Sequence, residues 1–228
     1  MDYTYTDIAK MIDHSLLNPV MTDKDLEEGC GIAARYDVAS VCIKPYAVEL
    51  AARLLEGTTV NVGTTIGFPH GGHTTGTKVA EAKTAMAHGA VELDMVCNIG
   101  KVLEGDWDYV GADIAAVVGA AHGEGALVKV IFENCYLEDE YKIKLCEICE
   151  SVRADFVKTS TGYGTGGATI EDLKLMRAHC GPAVQVKAAG GIRDLDKLLE
   201  VRALGVTRVG ATATMKILDE AKRRLGVS

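Results

Sequence analysis

The chain has 228 residues, of which 48% are hydrophobic and 25% are charged, so it holds enough apolar material for a substantial core. Its formal net charge of -8 argues against nucleic acid or an anionic membrane surface as a partner. The longest apolar stretches, such as Ile114–Ala121, are too short to span a membrane, and Asp2 and Asp7 stand where a secretion signal would be basic and apolar. Seven cysteines, an odd number spread over the chain, predict reduced thiols and a cytoplasmic protein.

Short β-branched runs alternate with longer amphipathic stretches along the whole chain. Strands are predicted at Met11–Ser15, Ser40–Ile43, Val60–Ile66, Val91–Met95, Leu127–Ile131, Phe156–Lys158, Ala183–Lys187 and Thr207–Gly210. Helices are predicted at Asp23–Tyr36, Tyr46–Glu56, Thr77–His88, Tyr109–His122, Asp139–Arg153, Ile170–Ala178, Leu195–Leu204 and Ala213–Leu225. Thr22 with Asp25, and Thr169 with Asp172, have the spacing of capping boxes at helix starts.

Eight strand–helix units in one series are the full complement of a closed parallel (β/α)8 barrel, the TIM barrel. A doubly wound open sheet is the main alternative, because alternation alone does not distinguish the two folds. No linker or low-complexity tract interrupts the series, so we expect residues 1–228 to form a single domain. In a TIM barrel the active site lies at the carboxyl ends of the strands.

Most predicted strands carry a charged or polar side chain near their carboxyl end, which a strand buried on both faces tolerates poorly. These residues are Asp13, Cys42, Asp94, Lys129, Glu133, Lys158, Lys187 and Arg208. Each one alone fits a salt-bridged group at the rim of a barrel. Asp94 and three lysines converging on one opening favour a catalytic site instead. Cys42 is interpreted as a structural side chain at this opening rather than as a reactive thiol.

Lys158 and Lys187 stand in near-matching settings, since each follows an apolar run and precedes small residues and glycine. An ordinary lysine, with a pKa of about 10.4, is almost entirely protonated at pH 7 and therefore not nucleophilic. Burial and a second ammonium group lower that pKa, and adjacent strands are only about 4.8 Å apart. The pair therefore predicts covalent carbonyl chemistry through a lysine amine. The spacing leaves open which lysine is the nucleophile and which one perturbs it.

Glycine-rich turns follow the last three predicted strands. They are Gly162–Gly167, Gly190-Gly191 and Gly210-Ala211-Thr212. Glycine lets backbone N–H groups approach an anion, and TIM barrels commonly bind phosphate in the loops after strands seven and eight. A tight strand-to-helix turn explains any one of these segments equally well. Three such turns beside the two lysines favour a phosphorylated carbonyl compound as the substrate.

Three further patterns do not indicate a metal or cofactor site. Cys146 and Cys149 fall inside a predicted helix with no second cysteine pair, so core packing is the better interpretation. His70 and His73 flank two glycines but have no third ligand nearby in the sequence. The Gly-x-Gly pattern at Gly162 lacks the rest of a dinucleotide-binding fingerprint. We therefore expect no metal and no bound cofactor.

With these motifs the chain resembles the deoxyribose-phosphate aldolases, a family of class I aldolases that work through a lysine Schiff base. The segments that carry the resemblance are Ile12–His14, Ser40–Ile43, Ile66–Pro69, Glu92–Val96, Asn98–Gly100, Val128–Ile131, Phe156–Gly162, Val186–Arg193 and Arg208–Gly210. They run nearly end to end, and the two lysine segments together with the Asp94 strand are the most specific. The resemblance implies reversible cleavage of 2-deoxy-D-ribose 5-phosphate to acetaldehyde and D-glyceraldehyde 3-phosphate, a step of deoxyribonucleotide catabolism.

The resemblance also implies roles for individual residues. Lys158 forms the Schiff base, Lys187 tunes it and transfers protons, and Asp94 relays protons through a water. The residues that the resemblance and the glycine turns place at the substrate are Asp13, Cys42, Lys129, Thr161, Gly162, Gly190, Gly191, Gly210 and Thr212. No metal is required for this chemistry. The partners are then small phosphorylated sugars and aldehydes, and we expect a homodimer or homotetramer.

The chain departs from the family pattern around the expected site. Ala211–Ala213 stands where paired serines are usual, so that Thr212 keeps one hydroxyl. Tyr163 replaces an apolar or basic residue, and the chain ends at Ser228 without the tyrosine of some members. Two alternatives stay open: a transaldolase-like barrel enzyme for another phosphosugar, and a non-catalytic phosphosugar-binding barrel. The second would have no need of paired lysines.

Overall fold

Eight strands form a closed barrel in chain order in the computed structural model, which describes residues 3–227. Every strand is parallel to the next, and the last strand pairs with the first. The strands are β1 Ile12–Leu16, β2 Ser40–Ile43, β3 Asn61–Ile66, β4 Glu92–Val96, β5 Leu127–Ile131, β6 Phe156–Lys158, β7 Gln185–Ala189 and β8 Arg208–Ala211. The predicted TIM barrel is thus confirmed over the doubly wound sheet. The expectations based on Asp2 and Ser228 lie outside the described residues.

The described residues contain ten α-helices, two more than the sequence predicts. They are α1 Tyr5–Ala9, α2 Asp23–Tyr36, α3 Val48–Leu54, α4 Thr75–Ala87, α5 Ile99–Glu104, α6 Trp107–His122, α7 Asp139–Ser151, α8 Ile170–His179, α9 Leu195–Ala203 and α10 Thr214–Leu225. The additional helices, α1 and α5, have five and six residues, too few to show a helical hydrophobic period. Within residues 3–227 no helix is both long and apolar enough to cross a membrane.

Side-chain caps set the starts of several helices, among them the two that the sequence pattern indicates. Thr22 forms the predicted capping box at α2, since its backbone N–H donates to Asp25 at 2.7 Å and its hydroxyl accepts from the Asp25 N–H at 3.4 Å. Thr169 forms the hydroxyl half of the pattern at α8, accepting from the N–H of Asp172 at 3.0 Å. These caps satisfy N–H groups at the helix starts that otherwise have no partner.

The apolar core is a sleeve between the barrel and the surrounding helices. Outward-facing strand residues such as Leu93, Val130 and Val157 are fully buried there. Each such side chain contributes about 1.5–3 kcal/mol when it leaves water. Because strand side chains alternate, the neighbouring residues Asp94 and Lys129 point into the barrel. The sleeve thus supplies the hydrophobic stabilisation, and the interior of the barrel is left to carry charge.

Candidate active site

Seven charged side chains fill the interior of the barrel and form one connected set of ion pairs, which we call the barrel ion cluster. Its members are Asp13, Glu92, Asp94, Lys129, Lys158, Lys187 and Arg208. Arg208 is 13% exposed, and every other member is at most 4% exposed. Buried charges are expensive unless they are paired, and each member lies within 3.0 Å of an opposite charge.

Lys158 and Lys187 meet on Asp94 at the upper end of the cluster. They are register partners on β6 and β7, and the Nζ atom of each lies 2.7 Å from Oδ2 of Asp94. Lys187 also lies 2.5 Å from Oδ2 of Asp13. Lys158 pairs with Asp94 alone among the carboxylates of the described chain. One carboxylate oxygen is therefore shared by two amines, and Lys158 has the smaller share of negative charge.

Arg208 and Glu92 lie at the amino end of the barrel, as the first residues of β8 and β4. Arg208 contacts Asp13 at 2.6 Å and Glu92 at 2.9 Å. The expectation that Arg208 stands at the carboxyl end of its strand is wrong. Strands in a closed barrel are tilted and staggered, so the register partners Lys158, Lys187 and Arg208 are the last, third and first residues of their strands.

Lys129 occupies the middle of the barrel beneath the other lysines. Its Nζ lies 2.5 Å from Glu92, 3.0 Å from Asp13 and 3.0 Å from Oδ1 of Asp94. That Asp94 oxygen accepts no well-directed hydrogen bond from the described residues. Lys129 is 0% exposed and is not among the residues that line the cavity described below, and its expected place at the sugar stays a prediction. Its ammonium group lies among three carboxylates.

Four cations and three anions share the cluster, so one positive charge is in excess when every group is ionised. Burial, helped by the charge of Lys187 and opposed by Asp94, lowers the pKa of Lys158. Burial also disfavours the charged form of Lys187, but Asp13 and Asp94 outweigh it and raise the pKa of that lysine. The carboxylates around Lys129 raise its pKa in the same way. Of the three lysines in the cluster, Lys158 is the one whose pKa is lowered, so it loses its proton more readily than Lys187 or Lys129.

Cys42 lies beside this upper end, with its Sγ 3.9 Å from Oδ2 of Asp94. Burial and the charge of Asp94 raise the pKa of the Cys42 thiol to about 11, so it is a neutral group at pH 7. The thiolate is the reactive form of cysteine. The structure thus agrees with a structural part for this side chain at the opening.

A cavity of about 360 Å³ opens above Lys158 and Lys187, at the carboxyl ends of the strands. The predicted site residues that line it are Asp13, Cys42, Lys158, Thr161, Gly162, Lys187, Gly190, Gly191, Gly210 and Thr212. Lining residues that were not predicted as contacts include Ser15, Asn18, Pro19, Tyr163, Ile192 and Arg193. The volume suits a small-molecule ligand. Asp94 does not line the cavity itself but contacts three residues that do, namely Lys158, Lys187 and Cys42.

The turns after β6 and β7 adopt conformations that favour glycine. Gly162, Gly190 and Gly191 have φ angles of 90°, 82° and 94°, in the left-handed region. A Cβ atom on Gly167 would lie only 2.6 Å from the carbonyl oxygen of Gly190, so these two turns pack backbone against backbone. Left-handed backbone and close packing therefore explain why glycine occupies these positions in the turns at the cavity. Their backbone borders the cavity next to the unpredicted Arg193.

The loop after β6 crosses the cavity opening. Glu133 holds its start, accepting hydrogen bonds from the N–H of Thr161 at 3.1 Å and from the Thr161 hydroxyl. The hydroxyl of Tyr163 donates to the carbonyl oxygen of Leu17 at 2.8 Å, which links this loop to the one after β1. The Tyr163 ring also packs edge-on against Phe68, with centroids 5.5 Å apart. Tyr163, a departure from the family pattern, is therefore a bridge over the opening.

Two sequence patterns were not interpreted as metal sites, the Cys146 and Cys149 pair and the His70 and His73 pair. Cys146 and Cys149 are buried on α7, and all seven cysteines are free. Across residues 3–227, no three His, Cys, Asp or Glu side chains are grouped so that they could hold a metal ion, His70 and His73 included.

A second buried ion pair, Lys78 with Asp113, lies outside the barrel, and we call it the helix ion pair. It joins α4 to α6 at 2.5 Å, with side chains that are 0% and 1% exposed. The Lys78 ammonium also donates to the carbonyl oxygen of Val96 at 2.9 Å, and Asp113 accepts from the Thr75 hydroxyl at 2.8 Å. One cation here matches one anion. No sequence pattern had indicated it, because Lys78 lies in a polar stretch typical of an exposed helix face.

The family model of the DeoC/LacD family aldolases matches residues 8–216. The chain belongs to this family. The match covers all eight strands of the barrel and every member of the barrel ion cluster. The resemblance expected from the lysine and glycine motifs is thereby confirmed.

Individual DeoC/LacD relatives are similar over nearly the whole chain. A curated deoxyribose-phosphate aldolase from Rhodopirellula baltica is 59% identical over 226 residues, which cover 99% of this chain and 94% of that protein. A second, from Thermococcus gammatolerans, is 50% identical over 218 residues, covering 95% of this chain and 97% of that protein. The tetrameric structure of deoxyribose phosphate aldolase from Aeropyrum pernix superposes with a TM-score of 0.89 at 30% identity, covering 96% of this chain and 92% of the other.

Proposed function

We propose that the chain is a class I deoxyribose-phosphate aldolase, a carbon–carbon lyase that reversibly cleaves 2-deoxy-D-ribose 5-phosphate to acetaldehyde and D-glyceraldehyde 3-phosphate. The observation that carries the proposal is the shared Oδ2 atom of Asp94, which lies 2.7 Å from both Lys158 and Lys187. A neutral amine on one lysine is a nucleophile, and the charged amine on the other is an acid within the same hydrogen-bonded group. Relatives of that name at 59% and 50% identity support the choice of substrate.

The reaction begins when the Lys158 amine attacks the C1 carbonyl carbon of the open-chain sugar. The resulting carbinolamine loses water and becomes a protonated Schiff base. This iminium accepts the electron pair of the C2–C3 bond as that bond breaks, while the C3 hydroxyl loses its proton, so that glyceraldehyde 3-phosphate leaves and an enamine remains. Protonation at C2 and hydrolysis of the iminium then release acetaldehyde and restore the amine.

Lys187 and Asp94 are proposed to move the protons of these steps. Asp94 is hydrogen-bonded to the attacking amine of Lys158, and Lys187 is hydrogen-bonded to the same Asp94 oxygen. The raised pKa of Lys187 keeps its ammonium group charged, so that it can donate a proton. The iminium itself is the electron sink, so a metal is not needed to stabilise the carbanion equivalent. We therefore propose that the reaction is independent of metals and cofactors, and that activity is unchanged after treatment with EDTA.

The phosphate of the substrate is proposed to lie against the turns after β6, β7 and β8. Gly190 and Gly191 present backbone at the cavity, and Gly210 with Thr212 lies on the neighbouring strand end. Thr212 retains a hydroxyl in the segment where the family has paired serines. Arg193 adds a positive charge on the same side of the cavity.

Reductive trapping tests the proposed function directly. Sodium borohydride added with acetaldehyde should leave one ethyl group on Lys158, located by peptide mapping, and the Lys158→Leu variant should lose that adduct. An adduct on Lys187 would reverse the roles of the two lysines. An adduct on Lys158 without cleavage of 2-deoxyribose 5-phosphate would favour an enzyme for another phosphosugar. The absence of any adduct would favour a non-catalytic phosphosugar-binding barrel.

We further propose that residues 1–228 act as one domain and assemble as a homodimer or homotetramer in the cytoplasm. The tetramer of the Aeropyrum pernix relative supports assembly, and seven free cysteines are in keeping with a reducing compartment. Light scattering at several protein concentrations measures the number of subunits.

A further inference from the structure

Glu92 and Arg208 take no part in the proposed chemistry, yet continuous ion pairs join them to the nucleophile. From Glu92 the contacts run through Lys129 to Asp94 and so to Lys158. From Arg208 they run through Asp13 and Lys187 to the same Asp94 oxygen. Glu92 and Arg208 thus pair not only with each other but also with Lys129 and Asp13, which connect them to the upper end of the cluster.

The groups that face Lys158 come from several strands. Lys158 is faced by Asp94 on β4, by Lys187 on β7 and by the thiol of Cys42 on β2. Asp94 is the single carboxylate in this set. A change in the charge of the rest of the cluster must therefore act on Lys158 through Asp94 and through space.

A different set of groups faces Glu92 and Arg208 at the amino end of the barrel. Glu92 is faced by Lys129 on β5, by Arg208 on β8 and by the neutral amide of Asn61 on β3, which donates to it at 3.0 Å. Arg208 is faced by Asp13 on β1 and by Glu92, and its guanidinium carbon lies 5.5 Å from the centroid of the Phe156 ring.

We propose that Glu92 and Arg208 are positioning residues that set the charge state of Lys158 by holding the excess of the barrel ion cluster at one positive charge. The proposal rests on the proposed function, since it requires Lys158 to be the nucleophile. Removal of the Glu92 charge leaves four cations with two anions, which drives the proton off Lys158 more strongly. Removal of the Arg208 charge leaves three cations with three anions, so that Lys158 retains its proton to higher pH.

The separation of the groups gives the size of the effect. Glu92 and Asp94 are two residues apart on β4, about 6.6 Å at the rise of a strand, and Lys158 lies 2.7 Å beyond Asp94. The Glu92 charge therefore acts over roughly 10 Å. With an effective dielectric constant of about 20, one charge at this separation shifts a pKa by about one unit, which changes the fraction of neutral amine about tenfold below the pKa.

The test is whether removal of the Glu92 charge and removal of the Arg208 charge shift the pKa of Lys158 in opposite directions. The pH dependence of kcat/KM for 2-deoxyribose 5-phosphate cleavage, and of the rate of borohydride trapping at Lys158, should be measured for Glu92→Gln and Arg208→Gln. We expect the acid limb of both profiles to move down by about one pH unit in the first variant and up by about one in the second. The double variant restores an excess of one positive charge and should return to the wild-type profile.

Two controls separate charge from structure. Arg208→Lys keeps the charge and should keep the wild-type profile, and the exposed Glu124→Gln should do the same. Shifts in the same direction for both single variants, no shift in either, or a displaced double variant would overturn the inference. If one single variant does not fold, the inference is still tested by the direction of the pH shift in the other single variant and by whether the double variant has the wild-type profile. Trapping at Lys158 without these shifts defeats this inference alone, whereas no trapping in the wild type defeats the proposed function.

Discussion

The barrel ion cluster and the helix ion pair are both buried, but their charges are matched differently. Lys78 and Asp113 form a pair of one cation and one anion, supported by neutral groups of Val96 and Thr75. The barrel ion cluster has one cation more than it has anions, and its upper end opens on a cavity next to Lys158. We therefore expect that burial alone does not make a lysine a nucleophile, and that an unmatched charge beside the cavity does so.

Methionine substitution of the lysine at the open end should have the largest effect. We expect Lys158→Met to lower kcat/KM by roughly 10³-fold or more, because the covalent route is lost. The free energy of unfolding should stay near that of the wild type, since the substitution removes the excess charge. Steady-state kinetics and urea unfolding measure both quantities. Retained activity in a folded variant would contradict the comparison.

The matching substitution in the helix ion pair should have the opposite effect, lowering stability and leaving activity in place. Lys78→Met leaves Asp113 buried without its cation, so we expect the free energy of unfolding to fall by about 3–5 kcal/mol, with kcat retained in the folded fraction. The double variant Lys78→Met with Asp113→Leu removes both charges and should recover most of that stability. Urea unfolding of the single and double variants measures it. A loss of kcat equal to that of Lys158→Met would show that the two regions are not distinct.

The stability of the protein should also depend on pH through Lys158. Because the pKa of Lys158 is lowered in the folded protein, the unfolded chain binds more protons between that lowered pKa and about 10.4. The free energy of unfolding of the wild type should therefore rise with pH in this window relative to Lys158→Met, by about 1.4 kcal/mol for each unit of the shift. Urea unfolding at several pH values measures the difference. A difference that falls with pH would mean that Lys158 is held as a cation.

Removal of a single hydroxyl from each region should give the smallest effects. Ser40 donates to Asp13 in the barrel at 2.7 Å, and Thr75 donates to Asp113 at 2.8 Å. Ser40→Ala and Thr75→Val should each lower the free energy of unfolding by about 1 kcal/mol. Only Ser40→Ala should move the acid limb of the kcat/KM profile, because only Asp13 belongs to the set of charges that acts on Lys158. An equal change in both profiles would remove the distinction between the regions.

The features of this protein that are local in sequence were predictable. The alternation of strands and helices indicates the barrel, and an apolar run followed by a lysine and glycine locates Lys158 and Lys187 at its opening. Gly190 and Gly191 were recognisable for the same reason, because a turn after a strand is encoded by adjacent residues.

The depth of each charge inside the barrel was not predictable in this way. Whether Arg208 or Lys129 reaches the cavity depends on the stagger of strands that are far apart in sequence. Glu92 lies at the amino end of β4, away from the strand ends where an active site is expected, and Lys78 resembles an exposed helix residue. A ranking of Lys158 and Lys187 on physical grounds, without the family resemblance, required all seven interior charges to be counted together.

The apolar sleeve around the barrel has a consequence for the response to ionic strength. Dissolved ions screen charges that water reaches, with a Debye length of about 8 Å at 0.15 M salt, and so weaken surface pairs such as Arg223 with Glu220. Except at the cavity, the interior charges are separated from the electrolyte by the barrel wall and the packed helices, and are screened much less. We therefore expect the pKa of Lys158 to be set mainly by the folded chain and to vary little with ionic strength. Salt should act mainly on the approach of the anionic substrate to the opening.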